Sequence, residues 1–349
     1  MTSAWLAAPI PEPSSSRMAT ARARQDRLTK PPGSLGRLEE LAIGLAGLQD
    51  REFPAADRVR IVVFAGDHGV VRAGVSPYPQ SVTVEMIRNF SRGGAAISVL
   101  ARALGAELEV VDVGAASDPG PLPGVVSRRV GAGTRDFRDQ PAMTPEEVRL
   151  ALRAGAEAAW RAVEGGGELF IGGEMGIGNS TSAAAVACAL THKAPAILAG
   201  PGAGLDPAGV ARKVAVIEAS LEHHQFFLKT PLEILSTLGG FEIVALAGAF
   251  IAAAQRRLPV LVDGFIVSVA ALAAVRLRPE IRPWLLFAHE SAEPGHRVVL
   301  EALQAAPLLQ LGMRLGEASG AAVAVPLLRL ACVLHRQMAT FAEAGISGG

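Results

Sequence analysis

GGEMGIGNSTS, residues Gly172–Ser182, follows the short apolar run Glu168-Leu169-Phe170-Ile171 and leads into the Ala-rich segment Ala183–Leu190. The order reads as strand, glycine loop, then the first turn of a helix. Such a junction aims unpaired backbone N–H groups and the positive end of a helix dipole at one point, where an anion can sit. Gly173, Gly176 and Gly178 carry no Cβ to hold a phosphate or ribose away, and Asn179, Ser180 and Thr181 can cap the helix or donate to phosphate oxygens. Glu174 stands in the middle of this cradle. A carboxylate repels a phosphate beside it, so Glu174 is expected to face a sugar hydroxyl or a developing cation. A purely structural tight turn is the other reading.

Outward from this loop the alternation repeats. Candidate strands are Val59–Ala65, Leu108–Val113, Leu169–Gly172, Ala196–Ala199, Val260–Val262 and Trp284–Phe287, each ending near Gly, Asp, Glu or His. Helical stretches are expected at Leu38–Leu48, Ser81–Phe90, Ala95–Leu104, Pro145–Val163, Ser182–Leu190, Ala208–Phe227, Phe241–Ala254 and Ile266–Val275. Six strands alternating with helices predict an α/β fold, a Rossmann-like, mostly parallel six-stranded sheet flanked by helices. Ala321–Ala344 reads as one or two terminal helices started or kinked by Pro326. With Leu38–Leu48 these form a small helical subdomain built from both chain ends. The expected division is a large α/β domain over 50–315 and a small helical domain over 1–49 and 316–349. Residues before Arg17, with Pro9, Pro11, Pro13 and Ser14–Ser16, are expected to form an extended arm. In Leu28–Leu38, LTKPPGSLGRL, Lys30 and Arg37 could reach an anion, but a solvated surface is the simpler expectation.

Composition narrows the function classes. Of 349 residues half are hydrophobic yet only 5% are aromatic, so Ala, Val, Leu and Ile must build the core. The 38 glycines exceed the roughly 24 that average usage predicts, which favours close backbone packing. The 33 basic and 33 acidic residues cancel, with no long run of one sign, so neither nucleic acid nor an anionic membrane is an expected partner. Phe241–Val275 is broken by Gln255-Arg256-Arg257 and by Asp263 into pieces shorter than the roughly 20 residues of a membrane span. The N-terminus lacks the pattern of a signal peptide, and Cys188 and Cys332 sit in apolar segments as small core residues. A cytoplasmic protein is expected.

Four further constellations carry polar chemistry. Gly66-Asp67-His68-Gly69 ends the first strand, on the edge where open parallel sheets bind ligands, although Asp67 and His68 also suit a simple turn. Val70–Gln80 is a long loop over that edge. Gly200–Asp206, GPGAGLD, is a second glycine turn, and Lys213 on the following helix could neutralise a phosphate there. Neither turn has the dinucleotide fingerprint or a Walker A Lys-Ser/Thr pair. In AHESAEPGH, His289, Glu293 and His296 have helical spacing for a metal, but Pro294 breaks that helix, so no metal is expected. In Gly312–Gly320, GMRLGEASG, Glu317 follows Leu311, Met313 and Leu315. A carboxylate among apolar residues has a raised pKa, as a general base requires, and a helix-start Glu is the structural alternative.

FAGDHGVV (64–71), GVSPYPQSVT (74–83), GEMGIGNST (173–181), GPGAGLD (200–206), VDGFI (262–266), AHESAEPGH (288–296) and LGMRLGEASGAA (311–322) together resemble the nicotinate-nucleotide–dimethylbenzimidazole phosphoribosyltransferases of cobalamin biosynthesis. The likeness runs from about Leu28 to Ile346. It implies transfer of the phosphoribosyl group of nicotinate mononucleotide to dimethylbenzimidazole, releasing nicotinate, with no cofactor, on a homodimer of α/β and small helical domains. The family's proton acceptor is the Glu of an LGEGSGA motif, which matches Glu317; here Ala318 replaces the motif's Gly. On this reading Glu174 stabilises positive charge on the ribose. Gly176, Gly178, Asn179, Ser180, Thr181, Gly202, Gly204 and Lys213 hold phosphate and ribose, and Ser291 is a further substrate-binding residue. Pro77–Gln80 (Pro79 and Gln80 within it), Met86 and Leu315 line the base's pocket. A non-catalytic nucleotide sensor on the same cradles is the alternative. An NAD-type oxidoreductase is disfavoured by the missing fingerprint.

Overall fold

The computed structural model describes residues 4–347 and holds one six-stranded sheet: β1 Val59–Gly66, β2 Glu107–Gly114, β3 Val125–Ser127, β4 Leu169–Met175, β5 Val260–Val262 and β6 Leu285–Phe287. Their spatial order is β3-β2-β1-β4-β5-β6, and every neighbouring pair is parallel. The sheet therefore has the doubly wound order, in which the strand order reverses between β1 and β4. Loops leaving those two strands diverge and open a crevice at their carboxyl ends.

Two of the expected elements differ. Ala196–Ala199 is not a strand: Pro195–Leu198 is a single helical turn, started by a proline whose fixed φ suits the first helical position. Four apolar residues are too few for periodicity to separate strand from buried turn. The missing strand is β3, three partly exposed residues behind Pro121, Pro123 and Gly124 at the sheet's edge. The N-terminal arm is also helical from Ser15 to Gln25, because Ser14 accepts the N–H of Arg17 and caps it. Helices Pro231–Leu238 and His296–Ala302 are further elements that the sequence reading left unassigned.

The scarcity of aromatics has a packing counterpart. Helix Pro145–Glu164 crosses helix Phe241–Gln255 with Gly155 against the Ala245 carbonyl and Gly248 against that of Leu152, and neither position has room for a Cβ. Backbones meet where larger side chains would hold them apart. Cys188 and Cys332 are both free and buried, and burial pushes each thiol up to about 12.

The chain ends meet on one side of the sheet. Helices Ser15–Gln25, Arg37–Gln49 and Ser319–Gln337 pack together, and Arg24 Nε donates to the His335 carbonyl at 2.7 Å. Leu28 and Thr340 form an antiparallel bridge. Lys30 is not on a solvated surface: it is buried and paired with Glu39 at 2.8 Å. Ser319–Gln337 is long and apolar enough to cross a membrane by length and composition, and its apolar face is packed against helix Arg37–Gln49 and helix Ala96–Leu104.

Candidate active site

A cavity of about 400 Å³ opens at the carboxyl ends of β1, β4, β5 and β6. Its wall takes Glu174–Ser180 from the β4 loop, Asp263–Val267 from β5, His289, Ser291 and Glu293 from β6, and Arg314–Glu317 from the segment returning to the small helical layer. Ser76, Pro77, Tyr78 and Met86, which follow β1, close the remaining side. A larger hollow of about 530 Å³ beside helix Pro231–Leu238 is mostly apolar and contains none of the expected site residues.

Glu174 is the penultimate residue of β4 and is nearly buried. Asn179, the first residue of helix Asn179–Thr191, donates its side-chain amide to Glu174 Oε2. Burial, followed by the charges of Glu242, Asp263 and Glu317, holds the Glu174 carboxyl well above the usual range. Glu317 sits beside Glu174, in a backbone turn of unusual hand packed on the end of β4: Gly316, Glu317 and Ala318 have φ of 88°, 61° and 73°. Its Oε2 accepts the Ile97 N–H, at the uncapped start of helix Ala96–Leu104, at 3.5 Å. Burial raises its pKa, the Ile97 amide opposes the rise, and Asp263 adds to it. Two acids with raised pKa values thus face one crevice, an arrangement suited to accepting a proton and to holding positive charge.

The anion cradle has its own electrostatics. Lys213, on helix Pro207–His223, is buried with Nζ donating to the Gly200 carbonyl at 2.9 Å and to Ser180 Oγ at 3.1 Å. Burial brings its pKa down to about 8, with Glu293 opposing. Because Ser180 Oγ accepts from the ammonium, its own hydrogen is free to point into the cavity. Glu293 accepts the Gly202 N–H at 3.1 Å, and Arg314 donates to the Gly202 carbonyl at 3.1 Å, so the second glycine turn is clamped from both sides.

Among the expected residues, Glu174, Glu317, Gly176, Gly178, Asn179, Ser180, Gly202, Met86, Ser291 and Leu315 all line this cavity. Thr181, Gly204, Lys213, Pro79 and Gln80 do not. Thr181 is fully buried within its helix, Gln80 turns its amide back to the His68 carbonyl, and Lys213 acts from behind Ser180. Asp67 and His68 also lie behind the wall. Asp67 accepts from Thr83 Oγ1 at 2.6 Å, Ala116 N at 2.7 Å and Ile177 N at 3.3 Å, tying three loops together. His68 pairs with buried Glu242 at 2.7 Å. His289, Glu293 and His296 face different partners: Asp263 at 3.7 Å, the Gly202 amide, and Ser268 with the Ser291 amide. Among the described residues no group of three or more His, Cys, Asp or Glu is placed to hold a metal.

The sequence reading gave no role to Asp263, to His289 as its neighbour or to Arg314, whereas Tyr78, within the expected Pro77–Gln80 segment, does line the cavity. Asp263 was visible as a charge interrupting an apolar stretch just after a strand and as part of the VDGFI motif, with no role attached to it.

A protein-family model described as "Phosphoribosyltransferase" matches residues 10–346. A nicotinate-nucleotide–dimethylbenzimidazole phosphoribosyltransferase of Pseudomonas aeruginosa (strain LESB58) is 64% identical over 327 residues, covering 94% of this chain and 93% of that one. The enzyme of the same description from Pseudomonas putida (strain KT2440) is 59% identical, covering 99% of each chain. The crystal structure of the counterpart from Thermus thermophilus superposes with a TM-score of 0.91 at 46% identity, covering 96% of this chain and all of that one.

Proposed function

The chain belongs to the nicotinate-nucleotide–dimethylbenzimidazole phosphoribosyltransferase family, and from that premise we infer that it transfers the phosphoribosyl group of nicotinate mononucleotide to 5,6-dimethylbenzimidazole. The products are nicotinate and α-ribazole 5′-phosphate, the precursor of the nucleotide loop of cobalamin. The observation that carries the catalytic reading is the pair of raised-pKa carboxylates, Glu174 and Glu317, facing one cavity at the sheet's switch point.

The donor's ring nitrogen is already quaternary and cationic. When the bond from it to the anomeric carbon breaks, the electron pair stays with nicotinate, so the leaving group needs no protonation. One ring nitrogen of dimethylbenzimidazole attacks from the opposite face, which turns a β nucleotide into an α riboside. The other ring nitrogen loses its proton to the Glu317 carboxylate. Glu317 suits this task because burial makes it a stronger base than an exposed glutamate. Glu174, in its ionised form, faces the positive charge that spreads over the ribose as the old bond lengthens. On this reading Ser180, oriented by Lys213, holds the phosphate at the start of helix Asn179–Thr191, the Gly202 and Ile177 N–H groups being already engaged by Glu293 and Asp67. Met86, Leu315, Pro77 and Tyr78 supply the apolar and aromatic surface for the base.

The same reading includes a cytoplasmic homodimer with a large domain over 50–315 and a small one over 1–49 and 316–349. Neutral net charge and two buried free thiols support the compartment. The half-exposed Tyr78 and Leu315 at the cavity mouth support a second copy as its cover. The contacts among helices Ser15–Gln25, Arg37–Gln49 and Ser319–Gln337 support the small domain.

The experiment is to incubate the purified protein with nicotinate mononucleotide, with and without dimethylbenzimidazole, and follow nicotinate by chromatography. Base-dependent release with a new α-riboside is the expected result. Saturable binding of the mononucleotide without release would replace the transferase by a sensor.

A further inference from the structure

Helix Ser319–Gln337 begins without a cap of its own. Ala318, at the N-cap position, has no side chain that can accept a hydrogen bond, and the Ser319 hydroxyl finds no partner. The first amides of a helix have no acceptor within the helix, so a buried start must find one elsewhere. Here it comes from the end of β5. Asp263 Oδ1 accepts the Ala321 N–H at 2.7 Å, and the Gly320 and Gly264 amides also point at this carboxylate, which is 1% exposed.

The neighbouring strands hold the same turn. On β4, Gly173 lies against the peptide between Glu317 and Ala318. Beyond β6, the His289 ring is pressed onto Gly320, where a Cβ would come within 2.8 Å of the ring's Cγ. Glu317 and Ala318 are non-glycine residues at positive φ, a conformation that persists only where its surroundings over-determine it. Of the three contacts, only the one from Asp263 is a hydrogen bond, and it is charge-assisted.

We propose that Asp263 is a positioning residue for the transfer reaction, capping the helix Ser319–Gln337 from the adjacent strand end and so holding Glu317 at the angle it needs to take the base's proton. This role rests on the assignment of Glu317 as the proton acceptor. A helix that needed only stability could carry an acceptor at its own N-cap. A buried carboxylate from the sheet instead ties the helix start, and with it the turn carrying Glu317, to the frame that builds the rest of the cavity.

The test uses the full chain with two substitutions, Asp263→Ala and Asp263→Asn, read by amide hydrogen exchange at Gly320 and Ala321 and by steady-state kinetics of the transfer. Asp263→Ala is expected to speed exchange at those amides about tenfold or more. It lowers kcat by about ten- to a hundredfold, because a misplaced base is costly, while KM for nicotinate mononucleotide stays within about threefold. Asp263→Asn keeps an acceptor oxygen in place, so exchange protection stays and kcat remains within about tenfold of the parent.

Unchanged exchange in Asp263→Ala, or a loss borne by KM alone, would overturn the proposal and make Asp263 a direct ribose contact. If Asp263→Ala does not fold, Asp263→Asn decides: loss of protection at Gly320 and Ala321, or a deeper fall in kcat, overturns it. Failure of the parent protein to release nicotinate would instead strike the function, and the exchange measurement still reads the cap by itself.

Discussion

Gly173 on β4 lies directly under the peptide that joins Glu317 to Ala318: a Cβ at position 173 would stand 2.7 Å from both the Glu317 carbonyl carbon and the Ala318 nitrogen. One atom of clearance therefore separates the sheet from the turn that presents Glu317.

Gly173→Ala should accordingly displace that turn. Both partners are backbone, so neither can swing aside. The expected cost is about 1–3 kcal/mol of stability from overpacking and about a hundredfold in kcat from misplacement of Glu317. Thermal unfolding beside steady-state kinetics checks both. Activity near that of the parent would show that the turn can move without consequence for the reaction.

How much of this was legible beforehand follows from what each element depends on locally. Long apolar strands ending in glycine, such as Val59–Ala65 and Leu169–Gly172, announce themselves through composition. β3 does not, since three partly exposed residues behind two prolines become a strand only by pairing with β2. In the site, the glycine turns and Glu317 were readable because their neighbours make them unusual. Asp263 was not, because its importance lies in an amide 58 residues away. Ala318 illustrates the converse. Its departure from the family's glycine was plain in the sequence, but only the structure places it at φ 73°, where an L-residue carries about 1–2 kcal/mol of strain.

Glu174 should be a liability to stability that the reaction requires. Its folded-state pKa lies above its unfolded value, owing to burial and the neighbouring carboxylates. Its stabilising contribution is therefore fully present below the unfolded pKa and is lost as pH rises through the folded one. Glu174→Gln keeps the acceptor for Asn179 and removes the charge. At neutral pH the variant is expected to gain about 1–2 kcal/mol and to lose nearly all turnover. Below pH 4 the two proteins should unfold at nearly the same temperature. Equal unfolding temperatures at neutral pH would mean that folding does not raise the Glu174 pKa.

Removing the Glu317 carboxylate should cost turnover and spare binding. Glu317→Gln is expected to reduce kcat by about two to four orders of magnitude, with the affinity for nicotinate mononucleotide little changed. Isothermal titration with the mononucleotide, beside turnover, separates the two. A variant with near-normal turnover would remove Glu317 from the role of base.

The dependence of kcat/KM on pH joins the two ends of the cavity. Glu317 must be ionised to accept a proton, so activity falls as pH drops through its pKa. Burial and Asp263 place that acid limb above the ordinary carboxylate range. Lys213 must be charged to orient Ser180 and to attract the phosphate, and its pKa in the free protein is about 8. Its help is present below that value and lost above it, so an alkaline limb is expected near pH 8 and the profile is a bell. The limbs belong to different residues and separate by substitution. Lys213→Met should abolish the alkaline limb and raise KM for the mononucleotide about ten- to a hundredfold, because a hydrogen bond to a charged group contributes about 1.5–3 kcal/mol. The acid limb should survive in that variant, as Glu317 is untouched. Persistence of the alkaline limb in Lys213→Met would assign it to another group and leave the glycine turns to bind the phosphate through their backbone alone.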